Sequence, residues 1–233
     1  MSGTLYLGTS GFAYPEWKGI FYPEGTKDRE MLAYYASRFR SVEINYTFRR
    51  FPVAKTLANW RDQSGEGFQF ALKANQRITH TKRLRDADED VGAFIETARV
   101  LGDRLGPILF QCPPNLKFDR DLIEQFLAYL PPIARYAMEF RHPSWDEARK
   151  LLADQSVAWC VAETDEKEAG DLAWEPFGYL RLRKLQYDDD EIKAWADRIA
   201  PALEDGRDVY CYFKHEDKGA GPIFAERFGN FIR

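Results

Sequence analysis

Tyr136-Ala137-Met138-Glu139-Phe140-Arg141-His142-Pro143-Ser144-Trp145-Asp146-Glu147 passes from strand character to a helix start within a few residues. Met138 and Phe140 alternate with Glu139 and Arg141, which is the period-two pattern of a strand with two unlike faces. Ser144-Trp145-Asp146-Glu147 then has the capping-box arrangement, with a hydroxyl at the N-cap and a carboxylate three residues later. A strand feeding a helix through so short and stiff a link reads as one βα unit.

The same unit recurs along the chain. Strand-like runs occupy 5–9, 42–46, 68–73, 108–111, 136–140, 157–162, 179–182 and 209–213, and segments of helical spacing separate them. Leu32, Tyr35, Ala36 and Phe39 form one such segment, Val91, Phe94, Ile95, Ala98 and Leu101 another, and Leu122, Ile123, Phe126, Leu127 and Leu130 a third. Asp119 suits an N-cap, Pro222 a first helical position, and Gly102, Gly206 and Gly229 helix ends. Pro201 is expected to kink or end the helix around Trp195. A sixth helix is expected around 165–172. Eight strand-then-helix units predict an α/β fold of the (β/α)8 TIM-like barrel type, a single domain over 1–233. No internal repeat is visible.

Strand parity places charge where a barrel interior usually holds apolar side chains. Glu43 and Asn45 oppose Val42 and Ile44, Glu139 and Arg141 oppose Met138 and Phe140, and Arg181 and Arg183 oppose Leu180 and Leu182. Lys73, Gln111 and Lys214 share that inward parity. Unpaired buried charge is costly, so these side chains must pair, bind a ligand, or lie near water at the carboxyl ends of the strands. Glu43 and Glu139 are candidate catalytic residues, dividing into proton donor and acceptor, with Arg141 orienting them and His142 as proton shuttle. A salt-bridged barrel plug is the structural alternative for the same residues. Arg181, Lys214 and His215, with Asn45, Lys73 and Gln111, form the expected substrate or anion site. Barrels often bind phosphate after strands seven and eight, and Gly219 and Gly221 allow close approach there.

The three histidines, His80, His142 and His215, each follow a strand and mark one rim of the barrel. With Glu43, Glu139 or Glu163 they offer nitrogen and carboxylate ligands, but none has the spacing of a metal motif. No cofactor is therefore expected, and a divalent metal stays open. The aromatic stretch from Thr9 to Pro23 is either a self-packed loop or a substrate-stacking lid that presents Trp17.

Composition narrows the class. A formal charge of −4 with interspersed signs gives no global attraction to nucleic acid or to an anionic membrane, so any anion must be bound locally. Cys112, Cys160 and Cys211 are odd in number and widely spaced, which reads as buried thiols in a reducing, cytoplasmic setting. Neither a signal peptide nor a run of about 18 apolar residues is seen, so no membrane partner is expected. Oligomeric state is not encoded in any motif.

Several motifs in order carry a family resemblance: Gly8-Thr9-Ser10-Gly11, Trp17-Lys18-Gly19-Ile20-Phe21-Tyr22-Pro23, Val42-Glu43-Ile44-Asn45-Tyr46-Thr47-Phe48, Lys73-Ala74 with Thr79-His80, Leu109-Phe110-Gln111-Cys112-Pro113-Pro114, Glu139-Phe140-Arg141-His142-Pro143-Ser144-Trp145 and Tyr212-Phe213-Lys214-His215-Glu216-Asp217. The chain resembles the DUF 72 (YecE-like) family over almost its whole length. The resemblance implies a TIM-like β/α barrel and supplies no reaction. Family members commonly carry Asn-Asn after the last strand, where this chain has the more cationic Lys214-His215.

The leading expectation is a hydrolase or lyase acting on a small anionic substrate, with or without a phosphate group, by carboxylate acid/base chemistry at the C-terminal rim. One alternative is a metal-dependent phosphodiesterase acting on nucleic acid. The other is a non-catalytic ligand-binding barrel.

Overall fold

The computed structural model describes residues 2–214 and 219–232. Eight parallel strands form one sheet: β1 (Leu5–Thr9), β2 (Ser41–Ile44), β3 (Gln69–Lys73), β4 (Leu105–Gln111), β5 (Tyr136–Glu139), β6 (Val157–Glu163), β7 (Gly178–Leu182) and β8 (Val209–Phe213). Sequential neighbours pair from β2 through to β8, and β8 returns to β1. The last seam closes through a parallel bridge between Ser10 and Glu43. At that seam Gly8 is obligatory, because a Cβ there would lie 1.9 Å from the Ser41 carbonyl oxygen. This is a (β/α)8 TIM-like barrel.

Around it run α1 (Met31–Arg38), α2 (Tyr46–Arg49), α3 (Ala54–Ser64), α4 (Asp88–Ala98), α5 (Arg120–Ala128), α6 (Arg149–Asp154), α7 (Asp189–Glu204) and α8 (Ala220–Phe231). Their apolar stripes meet the outward faces of the strands in one large core that includes Val42, Ile44, Phe70, Phe110, Met138, Leu180 and Phe213. A second apolar cluster fills the barrel itself: Ala71, Leu109, Ala137, Ala158, Cys160, Tyr179, Tyr210 and Tyr212. Below it, Tyr6 and Tyr210 stack at 4.4 Å near the amino-terminal pole.

Several local expectations are corrected. Between β6 and β7 no helix forms over 165–172; the chain makes an antiparallel bridge from Thr164 to Lys167 and then an irregular crossing. That stretch supplies only Ala169, Leu172, Ala173 and Trp174 as half-buried apolar contacts, too few to hold a helical face against the barrel. Pro201 does not end α7, which runs on to Glu204 because the next two residues, Ala202 and Leu203, are buried and outweigh one lost hydrogen bond. Strand β2 stops at Ile44, and Asn45 caps α2 instead of extending the strand. Gly229 lies inside α8, where a Cβ would stand 3.3 Å from Leu7. Ser144 is not the cap of its helical turn. His142 is, its Nδ1 accepting from the Ser144 backbone N–H at 3.2 Å.

Candidate functional site

The interior layer at the carboxyl ends of the strands is polar. Arg181 reaches from β7 across the barrel axis, with Nη2 donating to Glu43 Oε1 at 2.9 Å and Nη1 to Glu139 Oε2 at 2.5 Å. The side chains of Arg181, Glu43 and Glu139 are 2%, 0% and 5% exposed. Tyr179 donates to Glu43 Oε2 at 2.9 Å and Asn45 to Glu43 Oε1 at 3.2 Å. Gln111 donates to Glu139 Oε2 at 2.8 Å, and Arg141 to Glu139 Oε1 at 3.2 Å from a side chain that is 43% exposed. Lys73 completes the chain of contacts by donating to Gln111 Oε1 at 2.8 Å. Alternation along five strands thus assembles Glu43, Lys73, Gln111, Glu139 and Arg181 in one network.

The charges are unequal in their states. Burial alone would raise the Glu139 carboxyl, but the Arg181 and Arg141 guanidiniums pull it down to about 2, so it is an ionised acceptor at neutral pH. Burial and then the Arg181 charge push the Lys73 ammonium down to about 8, against the opposing pull of Glu43 and Glu139. Its Nζ stands 3.9 Å from the centre of the Phe48 ring, which in turn meets the His80 ring edge-on at 5.0 Å. Thr47 on α2 donates to the Lys73 carbonyl at 2.6 Å and holds this end of β3 in register.

Arg183 follows β7 with the same parity as Arg181 and is half-buried, yet among the described residues it makes no hydrogen bond or ion pair. Burial and the neighbouring Arg181 charge hold its pKa below the ordinary value, and Glu43, Glu139 and Arg141 are near enough to act on it. Four cationic side chains (Lys73, Arg141, Arg181, Arg183) therefore share the layer with two carboxylates (Glu43, Glu139), leaving an excess of two positive charges with Lys73 protonated. Lys214 follows β8 at the same level, its backbone N–H donating to the Leu182 carbonyl at 2.9 Å.

Other expected site residues are placed differently. Arg181 is not open to an anion, because both terminal nitrogens are taken by carboxylates. Trp17 is no stacking platform: it is fully buried against Tyr14, Phe21 and Tyr22, so the loop of 9–23 packs on itself. His142 bonds Ser144 and makes no hydrogen bond to Glu139. His80 bonds Thr79 at 2.8 Å, and Glu163 faces the helical layer, where Trp195 donates to it at 2.8 Å. Among the described residues no group of three or more His, Cys, Asp or Glu side chains gathers as a metal would require. His215 lies outside the described residues. Gly221 serves the protein's own packing, since a Cβ there would meet the Lys214 carbonyl oxygen at 2.2 Å. Arg183 is the residue that the expected anion site omitted, although parity had already set it beside Arg181.

Two cavities, of about 630 Å³ along the 18–29 loop and about 520 Å³ beside Arg135 and Phe177, lie away from this layer. No helix among the described residues is long and apolar enough to cross a membrane.

Fold and polar layer together define a TIM-like barrel protein with a charged carboxyl-terminal mouth. The chain belongs to the family described as "Protein of unknown function DUF72", whose model matches residues 6–233. It is 29% identical over 143 residues to the UPF0759 protein YecE of Escherichia coli, a match covering 60% of this chain and 50% of that protein. The chain thus spans half the length of this relative. To the UPF0759 protein YunF of Bacillus subtilis it is 24% identical, covering 92% of this chain and 90% of that protein. A DUF72 family protein of Thermotoga maritima, solved by crystallography, superposes with a TM-score of 0.79 at 25% identity over 98% of this chain and 99% of that one.

Proposed function

We propose that the carboxyl-terminal mouth binds a small anionic substrate, carrying carboxylate or phosphate, and that the protein is an enzyme of hydrolase or lyase type. The observation that carries this reading is the half-buried Arg183 guanidinium, which has no bonded partner among the described residues in a layer already rich in cations. A guanidinium in that state gains most from a bidentate oxyanion. Glu139, held near pKa 2, is too weak a base to serve near neutral pH, whereas Lys73 near 8 suits proton transfer there. The Glu43–Arg181–Glu139 bridge then acts as the frame that fixes the layer. That bridge also supports the second reading, a ligand-binding barrel with a salt-bridged plug.

Titration calorimetry with inorganic phosphate tests the proposal. Binding that weakens with added salt, and by about tenfold in Arg183→Gln, is the expected result. Undetectable binding, or equal binding by the variant, would overturn it.

A further inference from the structure

Lys73 is the side chain whose surroundings are most unusual for its type. It is buried, it has no carboxylate within ion-pair distance, and its amine rests between the Gln111 amide oxygen and the Phe48 ring. After burial the Arg181 charge acts on it most strongly, with Arg141 in the same direction and the Glu43 and Glu139 carboxylates, both engaged by Arg181, opposing them. A lysine desolvated beside other cations is the arrangement that keeps an amine neutral and nucleophilic. The same cations attract an anionic group on an incoming molecule.

We infer that Lys73 is a nucleophile that forms an imine with a small anion bearing an aldehyde or ketone carbonyl, such as a 2-oxo acid or a phosphorylated aldehyde. The inference rests on the anion-binding reading above and narrows its substrate class. The neutral Nζ lone pair attacks the carbonyl carbon, forming the C–N bond as the C=O π electrons move to oxygen. Proton transfer from nitrogen to oxygen gives a carbinolamine. Protonation of its hydroxyl and loss of the remaining N–H proton then expel one water and leave the C=N bond. The overall change is amine plus carbonyl to imine plus water, with no oxidant or reductant required. Once protonated, the imine withdraws electrons from the adjacent carbon, which suits cleavage or proton loss next to the former carbonyl. Arg183 and Arg141 supply the charges that hold the anionic end, and Gln111 positions the amine.

The test is reductive trapping of the full-length protein with pyruvate and sodium cyanoborohydride near pH 7.5, followed by peptide mapping. An amine of pKa about 8 is neutral on the order of a hundredfold more often at that pH than an ordinary lysine. The adduct should therefore concentrate on Lys73, disappear in Lys73→Arg, and form far less with acetone, which lacks the anion. Adducts spread evenly over surface lysines, or none at Lys73, would overturn the inference. Equal trapping of acetone and pyruvate would overturn its selection of anions. Phosphate binding that depends on Arg183, without trapping at Lys73, leaves the anion-binding reading standing and removes only the imine. Absent phosphate binding removes the reading beneath it.

Discussion

Arg181 on β7 and Arg183 just beyond its end stand two residues apart with the same parity, and only the first is neutralised, by Glu43 at 2.9 Å and Glu139 at 2.5 Å. The two guanidiniums therefore contribute to the fold with opposite sign. Removing Arg181 leaves Glu43 buried without an ion-pair partner and Glu139 with Arg141 alone, a defect that costs about 3–5 kcal/mol. Arg181→Met should lower the urea midpoint strongly, whereas Arg183→Met, which deletes a half-buried charge without a bonded partner, should leave it unchanged or raised. Adding Glu43→Gln and Glu139→Gln to Arg181→Met should recover much of the loss, because the uncompensated charges go together. A severe loss in Arg183→Met would contradict this division.

The layer also sets two windows of pH-dependent stability. Glu139 titrates near 2 in the folded chain against an ordinary 4.5, so the unfolded chain binds more protons between those values. Its stabilisation is complete above about pH 5 and lost as the pH falls towards 2. Lys73 titrates near 8 when folded against an ordinary 10.5, so again the unfolded chain binds more protons between the two values. Stability should thus rise between pH 8 and 10.5 as the burial penalty of the ammonium is relieved. Chemical denaturation across pH reads both windows. Glu139→Gln should flatten the acid limb, and Lys73→Met the alkaline one.

Alternation and short βα links made the barrel and its charged layer readable from residues alone, since a period of two leaves Glu43, Lys73, Gln111, Glu139 and Arg181 no other face. What parity does not contain is pairing. It treats Arg181 and Arg183 alike, and only the reach across the axis decides which one meets the carboxylates. Trp17 could be lid or core, and the neighbouring Phe21 and Tyr22 decide for core by closing around it. Position alone suits His142 to a proton shuttle, but a histidine before Pro143-Ser144 can also accept from the next turn, and here it does. The missing helix over 165–172 reflects the same limit: periodicity indicates a face without measuring how much surface waits to bury it.

The seam between β1 and β2 depends on a side chain where the ladder is incomplete. Tyr35, reaching in from α1 and fully buried, accepts from the Thr9 backbone N–H at 2.7 Å and donates to the Ser41 carbonyl at 3.2 Å. Its hydroxyl stands in for a strand-to-strand hydrogen bond, and burial pushes its pKa far up, so it remains a neutral donor at any working pH. Tyr35→Phe keeps the ring packing against Phe21 and Phe39 and deletes this clasp together with the 2.9 Å bond between the Tyr35 and Thr9 hydroxyls. The Thr9 N–H is then left buried without that acceptor, which costs about 1–3 kcal/mol. Equilibrium unfolding should show that loss. Native-state hydrogen exchange should localise it as faster exchange at the Thr9 amide, while amides of β4 and β5 on the far side of the barrel change only by the global amount. Uniform acceleration at every strand would mean that the seam opens only with the whole barrel, and that Tyr35 acts through packing instead of through its hydroxyl.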